Sequence, residues 1–214
     1  MKETLNFSHA ELNCFDFSNK ELMNADFSHS LLKGANFQNG DFREANFYFA
    51  EIENALFMYA DMHSAFFEKA KLRKADFRHV NCTEAKFQFS DLQYADFSDA
   101  QLKFACFIDA NLNSANMKKA IAKYADFRGA RLVNTKMGHA MFTCSKMMDS
   151  DFRGADLNHV TFQDTDLRGA NFENADLQYA NFRCADLRFA NFKGAKNVRL
   201  ADFTDAKTDG AMFL

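Results

Sequence analysis

Four of the six histidines form two pairs with the same separation: His9 and His29 are twenty residues apart, as are His139 and His159. Imidazoles brought about 5 Å apart can share a metal ion, and Glu11 or Asp26 could assist the first pair. Solvated corner residues of a repetitive surface would have the same spacing. The five cysteines contain no metal-type CxxC. A Gly-rich phosphate loop, a nucleophile elbow and an HExxH helix are all absent. The expectation is a chain that is not an enzyme, with no catalytic residue, no cofactor and no metal site.

Whatever these side chains do, a strict period positions them. Every fifth residue from Phe7 to Phe192 is Phe, Leu or a close substitute, and 31 of the 38 such central positions are Phe or Leu. The other seven are Ile52, Met62, Cys82, Met117, Ala122, Met137 and Met147, none of them charged. Two places earlier stands Ala in most repeats, as in Ala25-Asp26-Phe27, Ala95-Asp96-Phe97 and Ala175-Asp176-Leu177. On a helix, five steps rotate the chain by roughly 140°, which scatters the centres around every side. On a flat strand an odd spacing sends them to alternate faces. The chain must therefore turn once per repeat. Four such sides close a coil of twenty residues with the centres and the Ala side chains inward, and coils stacked by backbone ladders bury one another's interior.

Folding the sequence by twenty separates the centres into columns. Phe7, Phe27, Phe47, Phe67, Phe87, Phe107 and Phe127 form one, which continues as Met147, Leu167 and Leu187. The opposite column holds Phe17, Phe37, Phe57, Phe77 and Phe97, then Met117, Met137, Leu157 and Leu177. Between them Leu12 to Leu132 is followed by Phe152, Phe172 and Phe192. Phe thus moves from two sides of the coil to the other two near residues 137–152, with Ala122 and the methionines filling an irregular zone of looser packing.

Tandem copies of Ala-(Asp/Asn)-(Leu/Phe)-X-X over essentially the whole chain resemble the pentapeptide repeat family. The resemblance implies an all-β fold, a right-handed quadrilateral parallel β-helix of about ten coils of twenty residues. It does not imply one function. A single domain over 1–214 is expected. Residues 1–22 would form an atypical first coil, with Leu5, Phe15 and Lys20 in place of Ala. Residues 196–214 would form a last coil whose register slips by one across Lys196 to Arg199.

Composition agrees with an elongated, soluble rod. Proline is absent and the eight glycines are scattered, so no linker stands out. The apolar residues never make a run of about 18, which argues against a membrane-spanning helix. Met1-Lys2-Glu3-Thr4-Leu5 has no apolar signal core, and the expected location is the cytoplasm, with a signal-independent export route left open. Cys82 fills a core position as a small hydrophobe. Cys144 and Cys184 share a column but lie two coils apart, roughly 10 Å, too far for a disulfide.

Outward positions carry the functional information. Asp-Phe-Arg and Asp-Leu-Arg triplets such as Asp76-Phe77-Arg78 and Asp166-Leu167-Arg168 read as surface ion pairs worth about 0 to 1 kcal/mol each. Asp and Asn can also bond local backbone at the turns. Net charge is −3, distributed as −6 over residues 1–67, +5 over 68–140 and −2 over 141–214. The basic waist includes Lys69, Lys71, Arg73, Lys74, Lys118, Lys119 and Lys123, but its charges spread over several sides, which argues against direct nucleic-acid binding. Tyr48, Phe49, Phe66, Phe89 and Ile108 fall on one side and form a candidate partner surface. Leu56, Met58 and Tyr59 group on another. Corner aromatics that merely stack between coils would look the same.

Two functional readings follow. Pentapeptide repeat proteins similar to the Qnr and MfpA group are dimeric rods that resemble B-DNA and engage type II topoisomerase. That resemblance implies a non-enzymatic DNA mimic acting on DNA gyrase or topoisomerase IV, with Asp16, Asp76, Asp96, Asp156 and Asp176 as the phosphate-like stripe. Arg78, Lys118 and Lys136 interrupt this side, and the loop insertions of Qnr proteins are missing. The alternative is a scaffold or protein–protein interaction solenoid with an unidentified partner. In either case the apolar end Met212-Phe213-Leu214 is expected to join two copies as a homodimer.

Overall fold

The computed structural model describes residues 5–213. Its chain is a β-helix solenoid. Isolated parallel bridges link Asn6 to Asp26, Glu11 to Leu31, Asp16 to Asn36 and Glu21 to Asp41, and the same offset of twenty continues to Asp176 and Lys196. Each five-residue side is a bridge position, a core position, a two-residue turn and the small corner residue that follows it, so four turns bring the chain back above its starting point. Numbering the core residue 0, the repeat runs from Ala at −2 through Asp or Asn at −1 to turn residues at +1 and +2.

Backbone hydrogen bonding explains the motif. In the repeat Ala25–His29 all five amides have partners. The Ala25 amide donates to the Leu22 carbonyl at 3.1 Å, closing the preceding turn. Asp26 donates to Leu5 in the coil below, and Phe27 and His29 donate to Asn46 and Tyr48 in the coil above, at 2.7–2.9 Å. The remaining amide, Ser28 at +1, donates to its own repeat's Asp26 Oδ1 at 2.9 Å. Asp or Asn at −1 thus satisfies the one donor that the coil ladders miss, which a buried or crowded backbone requires.

The +2 residue has positive φ in repeat after repeat, between 54° and 62° at the non-glycine positions. A turn with left-handed backbone only at its third residue has the type II pattern. Asn, Asp and His recur there, and none of these residues is Val, Ile or Thr. The β-branched side chains clash in this region.

Inside, the large side chains stack along the axis. Successive rings of the Phe7-to-Phe127 column lie 4.5–4.9 Å apart and within 10° of parallel. Rings of the opposite column meet them edge to face, as Phe77 meets Phe87 at 5.7 Å and 89°. Each such pair adds about 0.5 to 1.5 kcal/mol beyond its buried area. After Phe127 the arrangement turns: Phe142 meets it at 78°, and Phe152 and Phe162 begin two new ladders. The step from Phe142 to Phe162 is wide at 5.6 Å and 21°. Met117, Ala122, Met137 and Met147 fill the zone with no exposed surface.

Where Ser or Thr replaces Ala at −2, the buried hydroxyl donates to a carbonyl. Ser90 bonds Phe87, Ser145 bonds Ala122 and Thr165 bonds Phe142. A buried hydroxyl without such a partner would be costly.

At residue 197 the regular offset fails. Asn197 takes left-handed φ and a short 3-10 turn, Val198–Leu200, absorbs one extra residue. Beyond it Asn181 bridges Asp202, Asp186 bridges Lys207 and Asn191 bridges Met212, all offset by twenty-one. From Leu5 onward the first coil, by contrast, has the same bridges and turns as the others, and only its side chains depart from the motif. Leu5 and Phe15, too large for the corner, are half exposed. Met1 to Thr4 and Leu214 lie outside the described residues. Among those described, no helix is long and apolar enough to cross a membrane.

Candidate binding surface

The first face of the solenoid, the one over the Phe7 column, carries its most distinctive surface. An open groove of about 630 Å³ is lined by Asn46, Tyr48, Phe66, Glu68, Lys69, Gln88 and Phe89. Three stacked coils build it. Asn46, Phe66 and Lys86 follow one another in the −1 ladder, Tyr48, Glu68 and Gln88 occupy +1, and Phe49, Lys69 and Phe89 occupy the left-handed +2 corner. Positive φ at that corner turns these side chains away from the core. Phe49 and Phe89 are 44% and 57% exposed.

Cations sit on these rings. Lys69 Nζ lies 5.0 Å from the Phe49 ring centre and 5.7 Å from that of Tyr48, and Lys86 Nζ lies 4.6 Å over Phe66. Such contacts hold an ammonium with about 0.5 to 1 kcal/mol at exposed sites. Tyr48 packs edge-on against Phe49, and His29 stacks on Phe49 from below.

Of the five aromatic and apolar residues expected on this side, Tyr48, Phe66 and Phe89 line the groove. Phe49 flanks it, and Ile108 lies one coil beyond it, half-buried on the same face. Asn46, Glu68, Lys69 and Gln88, which also line it, went unrecognised, as did Lys86 over the Phe66 ring. Folding by twenty held the signal, since Lys69 falls between Phe49 and Phe89 in one column and Lys86 falls directly above Phe66.

The aspartate column is less continuous than a phosphate-like stripe demands. Asp76 bridges Asp96, and Asp156 bridges Asp176. Asn36 and Leu56 separate Asp16 from the first pair, and Asn116 and Lys136 separate the two pairs. The carboxylates also have local duties. Asp76 holds the Arg78 guanidinium, Asp96 accepts from the Ser98 amide and hydroxyl and from Asn116, Asp156 accepts from Asn158, and Asp176 accepts from Asn197. Hydrogen bonds from Ser18 keep the Asp16 carboxyl below the usual carboxylate range.

The paired histidines do stack. His9 and His29 lie 4.9 Å apart and His139 and His159 4.7 Å apart, within 6° of parallel. Lone pairs lie in the ring plane, so parallel rings aim them side by side rather than at one point. Phe49 and Tyr179 extend the two stacks. Among the described residues no group of three His, Cys, Asp or Glu comes together to hold a metal. At the far end Met212 and Phe213 are 55% and 40% exposed, and the third residue expected there, Leu214, falls outside the described chain. All five cysteines are free, and burial pushes the Cys82 thiol well above its ordinary range.

Comparison with known proteins bears on the fold. The family pattern described as pentapeptide repeats matches residues 5–39, 21–57, 40–78, 81–118, 110–147, 123–158, 155–194 and 165–207. Among solved structures, a trypsin-treated variant of QnrB1, a plasmid-mediated fluoroquinolone resistance protein, is 20% identical. That match covers 96% of this chain and 89% of the other, with a TM-score of 0.53. HetL, a pentapeptide repeat protein involved in heterocyst differentiation regulation from the cyanobacterium Nostoc sp. strain PCC 7120, is 27% identical over 96% of this chain and 90% of its own. Its TM-score is 0.40. No curated protein sequence matches the chain.

Proposed function

This chain belongs to the pentapeptide repeat family, and from that premise we propose that it is a non-catalytic rod that binds a protein partner through the aromatic groove of its first face. The observation that carries the reading is Phe66. Its position is the one where the repeat's backbone asks for Asp or Asn, and the aromatic side chain instead serves a groove shared with Tyr48 and Phe89. Residues that break a local rule without a local gain are where function is to be sought. We read the rod as one domain over 1–214, a right-handed quadrilateral β-helix of about ten coils. We also read it as cytoplasmic and as a homodimer through Met212 and Phe213, which expose apolar surface.

A photocrosslinking residue, benzoylphenylalanine, placed at Phe89 tests the groove against one placed at Asn54, a corner of the next face. Discrete protein adducts from position 89 that disappear with Phe66→Asp are expected. Equal adducts from both positions would sink the reading.

A second reading, a DNA-mimicking rod acting on DNA gyrase or topoisomerase IV, is favoured by the neighbouring carboxylates Asp76 with Asp96 and Asp156 with Asp176. It is tested by gyrase supercoiling with increasing rod, with and without a fluoroquinolone. Inhibition or drug protection at micromolar levels that survives Phe66→Asp would favour this second reading over the groove.

A further inference from the structure

We infer that the groove on the first face takes an extended acidic peptide segment with one large apolar side chain, an inference that rests on the protein-binding reading and names its partner's chemistry. Three features of this face demand complementary groups. The first is the pair of ammonium groups, Lys69 and Lys86, parked over aromatic rings. Among the described residues neither lies within ion-pair distance of a carboxylate, whereas Lys33, Lys71 and Arg73 on the next face all do. An unpaired cation held on a ring is already oriented, and a carboxylate brought beside it gains a charge-assisted bond with little further ordering.

The second feature is in the backbone. Where Asp or Asn stands at −1 the +1 amide donates to it, as Tyr48 donates to Asn46. Phe66 and Lys86 carry no acceptor, so the amides of Glu68 and Gln88 lose that internal partner in two successive coils. These donors suit carbonyl or carboxylate oxygens. The third is Gln88 Oε1, which is buried and accepts no hydrogen bond. It calls for an N–H donor, which a peptide backbone supplies alternately with its carbonyls.

Shape decides between a peptide and a compact ligand. The groove's lining spans three coils, about 10 Å at the coil spacing. The central side chain of an extended segment fits between Phe66, Phe89 and Tyr48, and, because alternate side chains share a face, acidic residues two places before and after it reach toward Lys69 and Lys86. Glu68 contributes one negative charge to the lining and disfavours a carboxylate directly opposite it, which sets where along the peptide the acidic residues fall.

Phage-displayed random twelve-residue peptides, selected on the intact rod and sequenced, test the inference. Phe66→Asp restores the motif and its amide acceptor, so this variant is expected to keep its fold, checked by circular dichroism and melting. Selected peptides should be rich in Asp or Glu around a Phe, Leu or Trp. Synthetic copies measured by fluorescence anisotropy should weaken at least about 30-fold with Phe66→Asp, as for a central anchor. They should weaken about 10-fold with Lys69→Ala and Lys86→Ala combined, and with rising salt. Peptides that need Phe66 but are basic or neutral, and are indifferent to the two lysines, would overturn this inference while leaving the protein-binding reading intact. Peptides indifferent to Phe66, or no enrichment at all, would overturn both.

Discussion

Asp76 accepts the backbone amide of Arg78 at 3.1 Å and grips the Arg78 guanidinium through both carboxylate oxygens, Nε at 2.9 Å and Nη2 at 2.7 Å. One side chain thus completes the turn and neutralises a neighbouring charge. The same relation recurs at Asp41 with Arg43, Asp126 with Arg128, Asp151 with Arg153, Asp166 with Arg168 and Asp186 with Arg188. The acidic residues at −1 are therefore first of all parts of the repeat's backbone bonding, and much of their charge is matched locally.

Removing a −1 acceptor should cost stability even where no charge is lost. Asn171 accepts the Glu173 amide at 3.0 Å and the Asn191 carboxamide at 3.1 Å. Asn171→Ala is expected to destabilise the rod by about 1 to 2 kcal/mol, and Asn171→Asp by less than about 1 kcal/mol, since the acceptor is kept. Urea unfolding of the two variants measures the difference, and equal losses would refute this role for the side chain.

The ring ladders set the size of the core effect. Phe77 and Phe97 are fully buried and stacked 4.6 Å apart. Either residue changed to Ala should lose about 3 to 5 kcal/mol. A loss under about 1 kcal/mol in chemical denaturation is incompatible with a close-packed inward column.

Turn chemistry makes a prediction of opposite sign at one position. Asn39 holds φ at 57°. Asn39→Val should destabilise by about 1 to 2 kcal/mol, because a β-branched side chain resists left-handed backbone, whereas Asn39→Gly should be neutral or slightly stabilising. Thermal melting of the two variants would contradict the turn geometry if Val were tolerated as well as Gly.

Acid should weaken the rod in a defined window. Hydrogen bonds from Arg43, Arg168 and Arg188 hold the carboxyls of Asp41, Asp166 and Asp186 below their ordinary range. A depressed folded-state value means the contribution is complete above the unfolded carboxylate range, about pH 4, and is lost as pH falls through the lower folded value. The melting temperature should accordingly be flat from neutral pH down to about 5 and fall below about 4. Replacing all three aspartates by Asn should flatten that fall, and an unchanged acid limb would show that other carboxylates set it. Because the arginines are solvent-exposed, each pair alone contributes little.

The inward register, the coil of twenty and the extra residue near Lys196 were all legible in the chain. Each arises from a demand repeated every five residues: a large side chain at the centre, a small one at the corner, an acceptor at −1. A local requirement repeated so often leaves a pattern in one dimension. The quarter turn of the Phe ladders was legible for the same reason, since Phe127 and Phe142 belong to different columns. What only the tertiary structure decided is how outward side chains meet. Lys69 read as part of a basic waist, yet it sits on the ring of Phe49, and Lys86 sits on that of Phe66. Asp76 and Asp156 read as one stripe, yet Asn116 and Lys136 stand between their pairs. Those neighbours are twenty residues apart and touch through rotamers that no repeated backbone demand specifies, so each contact is settled only when the coils are stacked.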